Sequence, residues 1–151
     1  MEYRDRHALF CAHARAVFGG DTAEAHRLRR LIHPSHLLAH QVFAFALFTV
    51  CVDERFGEDL DWASMEVLLE GVRRTAPGVS PLKTEALIRA CYDEPHLIAE
   101  VPQSERAASF WAVCRLVVDD GTDLDELFER AEKVGRGTVR GIFAASQRYA
   151  R

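Results

Sequence analysis

Glycine and proline are scarce in this sequence, at 9 and 5 of 151 residues. The scarcity excludes a collagen-like repeat, and a hydrophobic content of 48% excludes an intrinsically disordered chain. A chain of this length is able to bury about two-thirds of the surface that it exposes when unfolded. We therefore expect one globular domain that comprises residues 1–151.

Cysteine is also rare, and none of the four cysteines belongs to a C-x-x-C pair. Each lies in an apolar helical pattern, so we expect reduced, buried thiols at Cys11, Cys51, Cys91 and Cys114. Several charged residues follow Met1 at once, which argues against a signal or transit peptide. A cytoplasmic location is therefore expected, without a disulfide framework or a cysteine-based zinc site.

The sequence has no excess of positive charge, since its formal net charge is −4. This balance argues against a dedicated nucleic-acid-binding protein. Acidic residues are concentrated at 53–70 and 119–132, whereas the segment 133–151 is basic. We expect these charged segments to form solvated faces. Two alternatives are that the acidic and basic residues pair with each other, and that the basic residues contact phosphate.

Hydrophobic residues recur every three or four positions along nearly the whole chain, without sustained period-two alternation. This pattern predicts an all-α protein: a compact, irregular bundle of about eight helices, built from helical hairpins around a central apolar helix at about 34–55. The even spacing of three cysteines suggests the alternative, an α-solenoid with a repeat of about forty residues. The other helices are predicted at about 2–18, 22–33, 62–74, 81–93, 104–118 and 124–134, with a short one between 95 and 102 and a last one after residue 137.

Polar residues and glycines predict where these helices begin and end. Asp21 and Asp123 each precede a glutamate by three positions, which is the spacing of a capping box. Pro34 is expected to begin the central helix, because proline suits the first helical turn. The segment 135–137, with two glycines, is expected to separate the last two helices, and an anion on the new helix N-terminus is an alternative role for it.

The segment 37–52 is the most apolar part of the sequence, with 13 apolar residues among 16. A transmembrane helix needs about twenty such residues, and His40 and Gln41 interrupt the run. We therefore expect no membrane span but a buried central helix. Its phenylalanines at 43, 45 and 48 point in different directions, so a second copy of the chain would help to cover them, and a homodimer is expected.

Three functional hypotheses follow, and none of them rests on a resemblance to a family. The first is a non-enzymatic regulatory module that contacts itself, as a homodimer, or another protein, because apolar helix surface is in excess. The second is a helical pocket for a small apolar ligand. Its candidate lining residues are Phe43, Phe45, Phe48, Phe110 and Trp111.

The third hypothesis is a metal-dependent enzyme. His36 and His40 are four residues apart on one helix, the spacing at which two imidazoles bind one metal ion. His26 would lie opposite them across the helical hairpin and complete a three-nitrogen set. The sequence contains neither the H-E-x-x-H motif nor the G-x-S-x-G motif of a serine nucleophile. The sequence therefore favours a binding protein over an enzyme, and no cofactor is expected.

Overall fold

The computed structural model describes the backbone of residues 2–149 and the side chains of residues 2–137. Within that part of the chain there are eight helices and no strand, which confirms the predicted all-α helical bundle. The predictions for the basic side chains beyond residue 137 lie outside the described residues. The helices are α1 Tyr3–Phe18, α2 Thr22–Ile32, α3 Leu37–Phe56, α4 Trp62–Thr75, α5 Pro81–Ala90, a 3-10 helix Pro95–Glu100, α6 Gln103–Val117 and α7 Leu124–Tyr149.

The chain forms two compact units. The first comprises Met1–Ala46 with Asp123–Arg151, and the second comprises Leu47–Thr122. The apolar helix α3 contributes to both units, because its residues up to Ala46 belong to the first unit and those from Leu47 onward to the second. That the two units form a single domain stays a prediction.

The hairpin of α1 and α2 in the first unit turns at Gly19 and Gly20. Gly20 has a φ of +73°, a backbone conformation that glycine adopts without steric cost. Asp21 then caps α2 as predicted, since its carboxylate accepts a hydrogen bond of 3.1 Å from the Glu24 N–H. The other hydrogen bond of the predicted capping box, from the Asp21 N–H to the Glu24 carboxylate, is not formed. The Glu24 carboxylate binds the Arg27 guanidinium instead, at 2.6 and 2.8 Å.

Helix α3 begins at Leu37 rather than at Pro34, where the sequence predicted its start. The N–H groups of His36 and Leu37 donate back to the carbonyls of Ile32 and Pro34, at 2.9 and 3.3 Å. These bonds close turns over residues 33–36, so the regular helix starts three residues later than predicted. The turn includes a cis peptide bond before Pro34.

Helix α7 is continuous through 135–137, so the prediction of two separate helices is wrong. Gly135 lies against α3, and a Cβ built on it would be 3.9 Å from both Ala46 Cβ and Val42 Cγ1. A helix tolerates such glycines because each retains its N–H donor and costs only about 1 kcal/mol relative to alanine. Since no helix begins at residue 137, the suggested anion site at a helix N-terminus does not exist.

The second unit is built from α4, α5 and α6 together with the second half of α3. Ser80 caps α5, and Pro81 occupies its first turn, as the sequence predicted. A buried hydrogen bond of 3.0 Å joins the hydroxyl groups of Thr84 and Ser109. The surrounding core is apolar, and its most deeply buried side chains include Leu47, Met65, Val72, Leu87, Ile88 and Val113.

Candidate ligand-binding site

A cleft of about 490 Å³ opens in the first unit. One wall is formed by the first half of α1, another by the start of α3, and the third by the middle of α7. The large side chains Tyr3 and Leu38 stand at its rim, with exposed fractions of 52% and 71%. The cleft therefore combines an interior wall with an apolar, solvent-exposed edge.

The floor of the cleft is apolar, and small residues create its depth. Phe10 and Phe43 are buried there, with 5.6 Å between their ring centroids. Ala39, Ala131 and Gly135 also line the cleft, and each has at most one side-chain carbon. Ala131 and Gly135 are four residues apart and so share one face of α7. Space that larger side chains would fill is thus left open above the two aromatic rings.

A polar network lies at one edge of the cleft and is centred on Glu132. The Tyr3 hydroxyl donates to Glu132 Oε1 at 3.1 Å, and His7 Nε2 lies 3.7 Å from Glu132 Oε2. Arg136 Nη2 is 3.4 Å from the same carboxylate. The pKa of the Tyr3 hydroxyl is raised, mainly by burial and secondly by the hydrogen bond to, and the negative charge of, the adjacent Glu132. The Glu132 charge is thus shared among three side chains of the protein.

Arg6 is the other cation of the cleft, and its side chain is half-buried. The guanidinium carbon lies 5.6 Å from the centroid of the Tyr3 ring, a cation–π arrangement. Among residues 2–137, no carboxylate lies within ion-pair distance of Arg6. Within the described residues, Arg6 therefore faces the cleft without forming an ion pair with a carboxylate.

A group of histidines lies in the same unit and contacts Phe10, whose ring centroid is 5.0 Å from that of His40. The His40 ring packs edge-on against His13, with 4.8 Å between centroids, and stands 6.1 Å from His33. Burial lowers the pKa of His13 to about 4 and that of His40 to about 3, and Arg29 adds to both effects. Burial also lowers the pKa of His33. All three imidazoles are therefore neutral at pH 7.

The sequence-predicted metal ligands occupy different environments. His40 is buried, His36 is half-buried and His26 is exposed. Within the described part of the chain, no group of three or more His, Cys, Asp or Glu side chains is arranged to hold a metal ion. The structure instead places His13 and His33 beside His40. Sequence reasoning missed His13, whose one signal is its place three residues after Phe10 on α1.

The five aromatic residues predicted to line a ligand pocket are divided between the two units. Phe43 lines the cleft, and Phe45 belongs to the same unit. Phe48 and Phe110 pack together in the core of the second unit, with ring centroids 4.8 Å apart. Trp111 is half-buried in that second unit. Of this predicted set, Phe43 is the residue found in the cleft.

One cysteine lies close to the polar edge of the cleft. Cys11 Sγ is 3.5 Å from His7 Nε2, one helical turn away on α1. Burial raises the pKa of the Cys11 thiol to about 11, so this pair does not hold a thiolate at neutral pH. All four cysteines are free thiols, as predicted, but Cys51 and Cys114 are buried whereas Cys11 and Cys91 are half-buried.

Helix α3 is long and apolar enough to cross a membrane by length and composition, and half of its most apolar window is buried inside the protein. Core helices of other folds meet the same test. In comparisons of sequence and of structure, no protein-family model, curated protein or solved structure matches this chain.

Proposed function

We propose that the first unit is a binding module for a small, largely apolar molecule that occupies the cleft formed by α1, α3 and α7. The observation that carries this proposal is the cleft itself. Its volume of about 490 Å³ falls within the range of about 300–1,000 Å³ found for small-molecule sites. Its apolar floor and its few polar groups at one edge are also typical of such sites.

Binding of a neutral, environment-sensitive dye such as Nile red tests this proposal. Ala39 lies on the cleft wall, so Ala39→Phe places a ring in the space that the ligand needs. We expect the affinity of this variant for the dye, measured by the fluorescence of bound dye, to fall at least about tenfold. Ala63→Phe is the matched control, because Ala63 is an exposed helical residue of the second unit.

Circular dichroism and thermal melting of both variants establish that they are folded. Dye binding by the wild-type protein that Ala39→Phe leaves unchanged would place the dye elsewhere and contradict the proposal. A wild-type protein that binds no neutral apolar probe at all would contradict it as well.

We also propose that the chain forms a homodimer and acts in the cytoplasm as a regulatory module. The homodimer is supported by a group of exposed leucines on either side of the turn at 33–36. Leu31 and Leu38 have exposed fractions of 55% and 71%, and Leu37 is exposed as well. Apolar side chains that are close in sequence and exposed together are typical of contact surfaces.

Light scattering over a range of concentrations tests this second proposal. Leu31→Glu places a charge among these leucines without altering the lining of the cleft, and we expect it to convert a dimer to a monomer. Leu82→Glu is the control, since Leu82 is 75% exposed in the second unit. A wild-type protein that stays monomeric at every concentration would contradict the homodimer.

A further inference from the structure

The charges that line the cleft do not cancel. Arg6 and Arg136 are positive, and Glu132 is the negative residue. The Glu132 carboxylate already accepts a hydrogen bond from Tyr3 and is close to Arg136 and His7. Arg6 is left with the face of the Tyr3 ring. The described lining thus carries an excess of one positive charge, located at Arg6.

The position of Arg6 makes this excess charge relevant to a ligand. Arg6 and Phe10 are four residues apart, so they lie on the same face of α1. Phe10 is part of the apolar floor. A molecule that lies on Phe10 and Phe43 would therefore have one end near the Arg6 guanidinium and the other along α3.

From this arrangement we propose that the ligand of the cleft is an amphipathic carboxylate, with its apolar chain on the floor and its carboxylate on Arg6. This inference rests on the proposed ligand-binding function and specifies its chemical class. A guanidinium offers two parallel N–H donors that match the two oxygens of a carboxylate, and such charge-assisted bonds are stronger than neutral ones. A half-buried site with an apolar wall reduces the competition from water.

Competition between three ligands with the same chain tests the proposal: decanoate, decanol and decylamine, each displacing Nile red. We expect decanoate to bind about tenfold more tightly than decanol, which corresponds to one charge-assisted hydrogen bond. Decylamine should bind most weakly, because its cation approaches Arg6 and Arg136. The advantage of decanoate should shrink as salt is added.

Arg6→Gln keeps a polar side chain, shorter than that of arginine, and removes the charge. We expect this variant to lose the preference, so that it binds decanoate and decanol with equal affinity. Arg4→Gln is the matched control, because Arg4 is exposed on the same helix and does not line the cleft. This control should keep the tenfold preference for decanoate.

The outcomes separate this inference from the function on which it rests. Equal binding of decanoate and decanol by the wild type would overturn the carboxylate proposal and leave the apolar cleft intact. Tighter binding of decylamine would also overturn it, and would indicate that Glu132 sets the polarity of the site. Failure of all three ligands, and of the neutral dye, would instead contradict the binding function itself.

Discussion

The His40 ring meets the His13 ring edge-on, with 4.8 Å between the two ring centroids. Helix α3 thus packs an imidazole against an imidazole of α1 inside the first unit. Burial is the largest cause of the lowered pKa values of both residues, and the positive charge of Arg29 and the nearby His33 act in the same direction. Protonation of this pair is therefore opposed by the folded state.

The first prediction concerns stability in acid. An unfolded histidine has a pKa of about 6.5, whereas the folded values are about 4 for His13 and about 3 for His40. Between these limits the unfolded chain binds more protons, so stability is complete above pH ~6.5 and falls as the pH is lowered toward 4 and 3. Each unit of pKa shift is worth about 1.4 kcal/mol of folding free energy.

Acid unfolding followed by circular dichroism measures this effect. His40→Phe replaces the titrating ring with an apolar one beside Phe10, and we expect it to move the acid midpoint down by about one pH unit. His26→Phe is the matched control, because His26 is an exposed histidine of the same unit. Equal midpoints for the wild type and His40→Phe would show that His40 is protonated without cost in the folded protein.

The second prediction tests the continuity of α7. Gly137 lies inside the helix, and a Cβ built on it meets no atom within 4 Å. Gly137→Ala should therefore raise the free energy of unfolding by about 1 kcal/mol, the difference in helix propensity. Gly20 has equally open space but a φ of +73°, so Gly20→Ala should lower stability by about 1 kcal/mol.

Denaturant unfolding of the two glycine variants gives these changes directly. If the chain had the helix break predicted from the sequence, Gly137→Ala would not raise the free energy of unfolding, because helix propensity does not stabilise a residue in a turn. A loss of stability in that variant would contradict the continuous helix.

The third prediction concerns the buried pair of hydroxyl groups in the second unit. Thr84 and Ser109 are 0% and 2% exposed, and their side-chain oxygens are 3.0 Å apart. Thr84→Val removes one hydroxyl and leaves the other in an apolar core, at an expected cost of about 1–3 kcal/mol. Adding Ser109→Ala should recover part of this loss, because the polar group left behind is then removed. Strictly additive losses in a double-mutant cycle of unfolding free energies would rule out the coupling.

Local signals in the sequence were sufficient for much of the fold. The caps at Asp21 and Ser80 and the turn at Gly20 depend on residues within a few positions of each other. The continuity of α7 could not be predicted in this way. Gly135 taken alone favours a helix break. The residues it packs against, Val42 and Ala46, belong to a helix far away in the sequence, so local signals do not reveal this contact.

The candidate site was predicted much less completely than the fold. Phe43 was identified because a large aromatic residue is visible in a sequence. The space above it comes from Ala39, Ala131 and Gly135, and small residues give no signal until three helices are placed together. The partners of His40 were missed for the same reason, since the register of α1 against α3 decides that His13 meets it.

The last prediction concerns the thiols. Burial raises the pKa of Cys11 and of Cys91 to about 11, and that of Cys114 is raised by burial and by the adjacent Cys51. Because the thiolate is the reactive form, these thiols should be modified by iodoacetamide at pH 7.5 at least about tenfold more slowly than the amino acid cysteine in solution. Cys11 and Cys91 are half-buried and should react before Cys51 and Cys114, which are buried. Mass spectrometry of a time course identifies the order, and urea should abolish the differences. Rapid labelling of Cys11 in the native protein would contradict this prediction and would indicate that His7, at 3.5 Å, takes the thiol proton.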